Sequence, residues 1–255
     1  MQDCKSLRKE EMKKKIIDKI GEKAFYKIER TYEKIMRMFG VKKEMPFRVK
    51  IAFGLHNRIR RGGGKKNLLA FGKGQYFGNS FIIGGDHNVI RIGEGCKVTN
   101  VKFEISGSYN AIVIGNRVIL RDAHIHLGDN GSSMSVGDDS DMGIGFHVSI
   151  LEGSSVSIGN DCMFSWNTSL MNSDSHSIID LTTTDRINKA SDIFIGNHVW
   201  FGQDVTVLKG ARICDNTVIG NRSMVTKGEY EGNSVYVGTP ARRLRKDVQW
   251  MRDRI

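Results

Sequence analysis

Two hydrophobic periods divide the chain. Near the N-terminus Ile17, Ile20, Ala24, Ile28, Ile35 and Met38 recur at spacings of three, four or seven, the period of one helix face. Gly40 marks a stop, and Pro46 opens a second such stretch with Phe47, Ile51, Leu55 and Ile59. The pattern predicts two amphipathic helices over residues 5–61, ended by Gly62-Gly63-Gly64.

Beyond the glycines the period changes. Ile92-Gly93, Ile114-Gly115, Val136-Gly137 and Ile158-Gly159 stand 22 residues apart, and Val98, Leu120, Met142 and Phe164 keep the same spacing. Further on the step shortens to six, through Ile195, Phe201, Val207, Ile213, Ile219 and Val225. Four residues after most of these comes a small or β-branched side chain: Val199, Val205, Ala211, Thr217, Ser223. This is a hexapeptide repeat, too short for a helix pair and not a simple alternation. Each hexapeptide is one short strand and a turn, and three close a triangular coil of 18 residues. The aliphatic fills the interior, while glycine and asparagine are expected at corners that need positive φ. A period of 22 adds about four residues, extruded at one corner of each coil. The expected fold is mainly β: a left-handed parallel β-helix over residues 67–240, after a basic α-helical arm (1–66) and before a short C-terminal helix (241–255).

Charge sharpens this division. Residues 1–66 hold 21 Lys and Arg against 8 Asp and Glu, a net of +13, whereas residues 67–255 net −2. A helical arm packed on its own subunit or a neighbour accounts for the apolar stripe. Attraction to an anionic membrane face or an acidic polymer accounts for the charge. With 39% hydrophobic residues the chain is not mostly disordered. No apolar run reaches a membrane span, and Met1–Lys15 is too charged for a secretory signal, so a cytoplasmic protein is expected. The four cysteines show no CxxC spacing. Cys96 and Cys162, 66 residues apart, share a column three coils apart, roughly 14 Å, so buried thiols rather than a disulfide are expected.

The step from Ile158 to Ile195 is 37 residues, which leaves an extruded loop at about 171–192. It reads Met171-Asn172-Ser173-Asp174-Ser175-His176-Ser177-Ile178, then Asp185-Arg186-Ile187-Asn188. A polar, histidine-bearing loop on a rigid solenoid is where function is expected. Here a resemblance becomes specific. The run Ile193–Gly228 followed by Val235–Lys246, with its Gly238-Thr239-Pro240-Ala241 element, resembles the hexapeptide acyltransferases. Asp174-x-His176, Asp185-x-Ile187-Asn188, Val199-Trp200 and Trp250 resemble more narrowly the O-acetyltransferases of capsular and surface polysaccharides. It covers roughly residues 90–250.

The resemblance implies an acetyl-CoA-dependent O-acetyltransferase with a sugar hydroxyl as acceptor. His176 falls at the family's catalytic histidine and would act as general base, a task suited to a side chain with an ordinary pKa of about 6.5. Asp174, or a backbone carbonyl, would orient it. Trp200 would help form the acetyl site, or else lid a corner. Gln203 and Asn221 would line the pantetheine arm, Thr226 and Lys227 the adenine end, and Arg245 a phosphate. His147, Glu152 and Asp185 fall near the acceptor, although turn roles suit the first two equally. The family also implies a homotrimer, with each site shared by two subunits, and no nucleic-acid partner. Small acceptors and a non-catalytic scaffold are the rival readings; the retained His176 argues against the scaffold. Some left-handed β-helices bind zinc through histidines. Here His124 and His126, two apart on one strand, are expected on opposite faces, with His147 one period above Ile125, so no metal site is expected.

Overall fold

The computed structural model describes residues 57–62 and 66–255. The helices expected over residues 5–56 lie outside the described residues. Those described form 25 strands in three sheets of eight, eight and nine, and successive strands visit the three faces in turn. The first face begins with β1 (Arg58–Gly62), the second with β2 (Leu68–Phe71) and the third with β3 (Gln75–Phe77). All pairs are parallel except the last. The result is the three-sided parallel β-solenoid that the repeat implies.

Two boundaries differ from expectation. Helix was expected through residue 61, but Arg58–Gly62 is a strand paired with β4 (Ser80–Gly84), Ile59 opposite Phe81. Five residues reading Arg-Ile-Arg-Arg-Gly fit a period of two as well as a helix, and pairing with the next coil decides. At the other end no helix forms. The chain turns at residues 238–241 and lays β25 (Arg242–Lys246) antiparallel on β24 (Ser234–Val237), covering the open edge of the third face.

The interior follows the repeat. Ile195, Phe201, Val207, Ile213, Ile219 and Val225 are fully buried, and so, nearly, are the small residues four positions on. Coils contact one another through stacked identical positions: the Phe164 and Phe201 rings lie 4.5 Å apart and nearly parallel. Polar columns do the same at the second-to-third corner. The Asn116 side chain accepts from the Glu94 N–H, Asp138 from Asn116, Asn160 from Asp138, Asn197 from Asn160 and Asp215 from Asn197, at 2.7–2.9 Å. Each rung satisfies an N–H that the turn would leave unpaired.

The glycines of the Ile-Gly pairs serve close approach rather than positive φ. A Cβ on Gly93 would sit 2.5 Å from the Gly115 carbonyl oxygen, and one on Gly159 equally near that of Gly196. Positive φ falls two residues later, at Arg117, Asp139, Asp161 and His198. Cys96 and Cys162 are free, buried and in one column, and burial pushes the Cys162 thiol up to about 11.

Candidate active site

The longer corners of the 22-residue coils and the histidine loop leave the solenoid at the same place, between first and second faces. β7 (Lys102–Ile105) and β8 (Ala111–Ile114) are joined by residues 106–110, whereas β19 (Thr206–Leu208) and β20 (Ala211–Ile213) need only Lys209 and Gly210. Between β16 (Ser169–Met171) and β17 (Ile193–Ile195) the chain makes its excursion over residues 172–192. The solenoid resumes in register, Ile158 opposite Ile195.

Polar side chains hold the excursion. Arg186 donates to both carboxylate oxygens of Glu152 at 2.7 and 2.8 Å, and the Ser173 hydroxyl donates to the same group at 2.7 Å. Asn188, almost fully buried, donates to the His176 carbonyl at 2.7 Å and to Asp174 at 2.8 Å, and accepts from the Ile178 N–H. Lys209, from the next coil, donates to Asp174 and to the Asn188 carbonyl. Asn172 ties the base of the loop to Leu151 and Ser191. The Arg186 guanidinium holds the Glu152 carboxyl below the usual range, and Lys209, then Asn188, does so for Asp174.

His176 stands on this framework with its side chain exposed. Its backbone is fixed from both sides, its N–H donating to the Asp174 carbonyl at 2.7 Å and its carbonyl accepting from Asn188. The Asp174 carboxylate is engaged by Lys209 and Asn188, so in this structure it braces the loop rather than the imidazole. Glu152 is likewise a brace. Asp185 is exposed, its N–H and carbonyl shaping the loop tip.

The other expected residues lie elsewhere on the prism. Trp200 faces outward from β18 (Trp200–Phe201) on the third face, opposite the first-to-second corner. Its indole Nε1 is buried and has no hydrogen-bond partner among the described residues. Gln203 and Asn221 share the third-to-first corner, the Gln203 N–H donating to the Asn221 side chain at 2.9 Å. Asn221 is thus a corner rung, which accounts for an amide at that place. Thr226 and Lys227 return to the first-to-second corner. Arg245 lies in β25, a strand rather than a helix. One chain therefore does not bring His176 and Trp200 together.

The histidines of the first face also need correcting. Residues two apart on a strand share a face, and His124 and His126 both point outward around buried Ile125. His147 pairs with His124, not with Ile125, and the two rings are 5.4 Å apart. Burial, the largest influence, lowers the pKa of His126 and His147. No cluster of three or more His, Cys, Asp or Glu side chains suited to a metal occurs among the described residues.

Three residues escaped the sequence reading. Trp166, more than half exposed, stands one coil from Gln203 at the same corner, beside the Asp204 N–H that its carbonyl accepts. Lys209 reaches Asp174 across 35 residues, and Arg186, within the loop, reaches Glu152 across 34.

Residues 192–227 match the family model described as bacterial transferase hexapeptide (six repeats), so the chain carries the hexapeptide repeat of bacterial transferases. The polysialic acid O-acetyltransferase of Neisseria meningitidis is 34% identical over 126 residues, 49% of this chain and 58% of that protein. The polysialic acid O-acetyltransferase of Escherichia coli O1:K1 / APEC is 33% identical over 122 residues, 48% of this chain and 39% of that protein. The matches thus span less than two thirds of these relatives. The solved structure of the polySia-specific acetyltransferase NeuO superposes with a TM-score of 0.74 at 28% identity, covering 78% of this chain and 90% of that one.

Proposed function

We propose that the protein is an acetyl-CoA-dependent O-acetyltransferase acting on a sugar hydroxyl of a capsular or surface polysaccharide, a polymer of sialic acid being the acceptor class favoured. The observation that carries this is His176, backbone-locked and exposed on the long excursion of a solenoid similar to two polysialic acid O-acetyltransferases. The His176 imidazole takes the proton of the acceptor hydroxyl as its oxygen bonds to the thioester carbonyl carbon. The carbon–sulfur bond then breaks and the proton passes from His176 to the departing thiolate, leaving an O-acetyl sugar and a free thiol. A buried N–H with no acceptor among the described residues, Trp200 Nε1, is a fitting donor for the acetyl-donor site.

Because Trp200 lies across the prism from His176, a complete site needs the corner of one copy against the third face of another. A closed cyclic assembly of three supplies three such sites. The +13 of residues 1–66 adds a long-range attraction for an acidic polymer or an anionic membrane face. Deleting residues 1–56 is expected to weaken binding to long polysialic acid in a salt-sensitive way while sparing turnover on short neutral acceptors. Aggregation or loss of the trimer would instead make the arm structural.

The test of the reaction is mass spectrometry of polysialic acid and neutral polysaccharides incubated with acetyl-CoA and the protein. The reading expects one added acetyl mass per modified residue, removable by mild base. Acetylation confined to small sugars or amines would overturn the polysaccharide acceptor.

A further inference from the structure

The last residues of the chain run down the second-to-third corner against the direction of stacking. Val248 meets Asn233 of the final coil, its N–H donating at 3.0 Å. Trp250, 5% exposed, lies flat on His198 with ring centroids 4.1 Å apart and planes 8° apart, and its Nε1 donates to the His198 carbonyl at 2.8 Å. His198 closes the contact from both ring nitrogens, Nδ1 2.7 Å from the Asp161 carboxylate and Nε2 3.1 Å from the Trp250 carbonyl. The two ring nitrogens thus meet a carboxylate on one side and a backbone carbonyl on the other. Arg252 then reaches Asp161 from the other side at 2.8 Å.

Trp250 is also the neighbour of Trp200, with ring centroids 6.1 Å apart. Trp200 keeps its Nε1 buried and unpaired among the described residues, an unfavourable arrangement for a donor. Left to itself the indole would turn its N–H toward water. We propose that the C-terminal tail is a strap in which Trp250, fastened to His198 and Asp161, acts as a positioning residue that holds the Trp200 indole ready for the acetyl donor. The inference rests on the proposed role of Trp200 at the acetyl site. It explains why Trp250 is bound twice to His198, in the coil that carries Trp200, while Arg252 holds Asp161 one coil before.

The test is a double-mutant cycle in the full-length protein, reading kcat and the acetyl-CoA KM. Trp250→Leu is expected to lower kcat about tenfold alone, yet less than about twofold in a Trp200→Phe background, because the group being positioned is gone. Trp250→Phe keeps the ring on His198 and should recover activity to within about threefold of wild type. Asp161→Asn, which preserves shape at a positive-φ corner, should reproduce the Trp250→Leu loss in weaker form. Equal fold-losses from Trp250→Leu in both backgrounds would make the tail a general structural element and overturn the strap. Wild-type kinetics for Trp250→Leu would overturn it too. If Trp200→Phe itself is without effect, the acetyl-site role of Trp200 fails and the strap falls with it, an outcome distinct from the other two.

Discussion

The solenoid and the loop it extrudes are held by different means. In the coils the strands pair in parallel with those of the adjacent coil, and identical positions stack, as Phe164 does on Phe201. No single side chain decides the register. The loop over residues 172–192 has little of this, one isolated bridge between Ile179 and Arg186. Its shape depends on polar side chains, among them Glu152, Asn172, Asp174, Arg186, Asn188 and Lys209. The body is thus robust and chemically bland, and the loop is fragile and carries His176, the proposed base. Substitutions should separate stability from turnover according to region.

The largest effect expected is on the loop. His176→Ala should lower acetyl transfer by roughly 10²–10⁴, with an unchanged melting transition, since the side chain is exposed. A loss under about threefold would move the base elsewhere. In the body the reverse holds. Phe201→Ala should cost about 3–5 kcal/mol in unfolding measurements, while the folded fraction keeps its KM. Between the two lies Arg186→Ala, which leaves Glu152 without its partner. Turnover should fall about tenfold with little change in global stability, because the solenoid coils do not depend on the loop.

Acidity sharpens the same contrast. The folded-state pKa of Glu152 is depressed below its ordinary 4.5, chiefly by Arg186, so its contribution is present above that value and fades as pH falls through the depressed one. Asp174 behaves alike, held by Lys209 and Asn188. Amides of residues 174–188 should therefore lose exchange protection on acidification before those of the coils. Simultaneous loss would mean that loop and solenoid form one cooperative unit.

What the sequence disclosed follows from the same division. The columns at spacings of 22 and six were legible because each coil presents the same position to its neighbour, so one requirement is repeated many times. Where a requirement occurs once, local pattern misled. Arg58–Gly62 continued a helical period but pairs with Ser80–Gly84, and Arg242–Lys246 has good helix formers yet closes a sheet edge. Asp174 stood in the right place for an orienting carboxylate, but Lys209 claims it, and that partner is visible only once the corner columns are counted. The place of His176 on an extruded loop was legible from the break in the repeat. The distance between it and Trp200 was not, because it is set by which corner and which face the chain has reached.

That separation gives the account its most direct test. Co-expressing His176→Ala with Trp200→Phe, each nearly inactive alone, yields mixed assemblies in which a histidine of one copy can meet a tryptophan of another. With random assortment in a cyclic trimer, one site in each mixed assembly is complete, so about a quarter of wild-type activity should return. Verified mixed assemblies as inactive as either parent would show that His176 and Trp200 do not meet across copies, and would contradict the shared site.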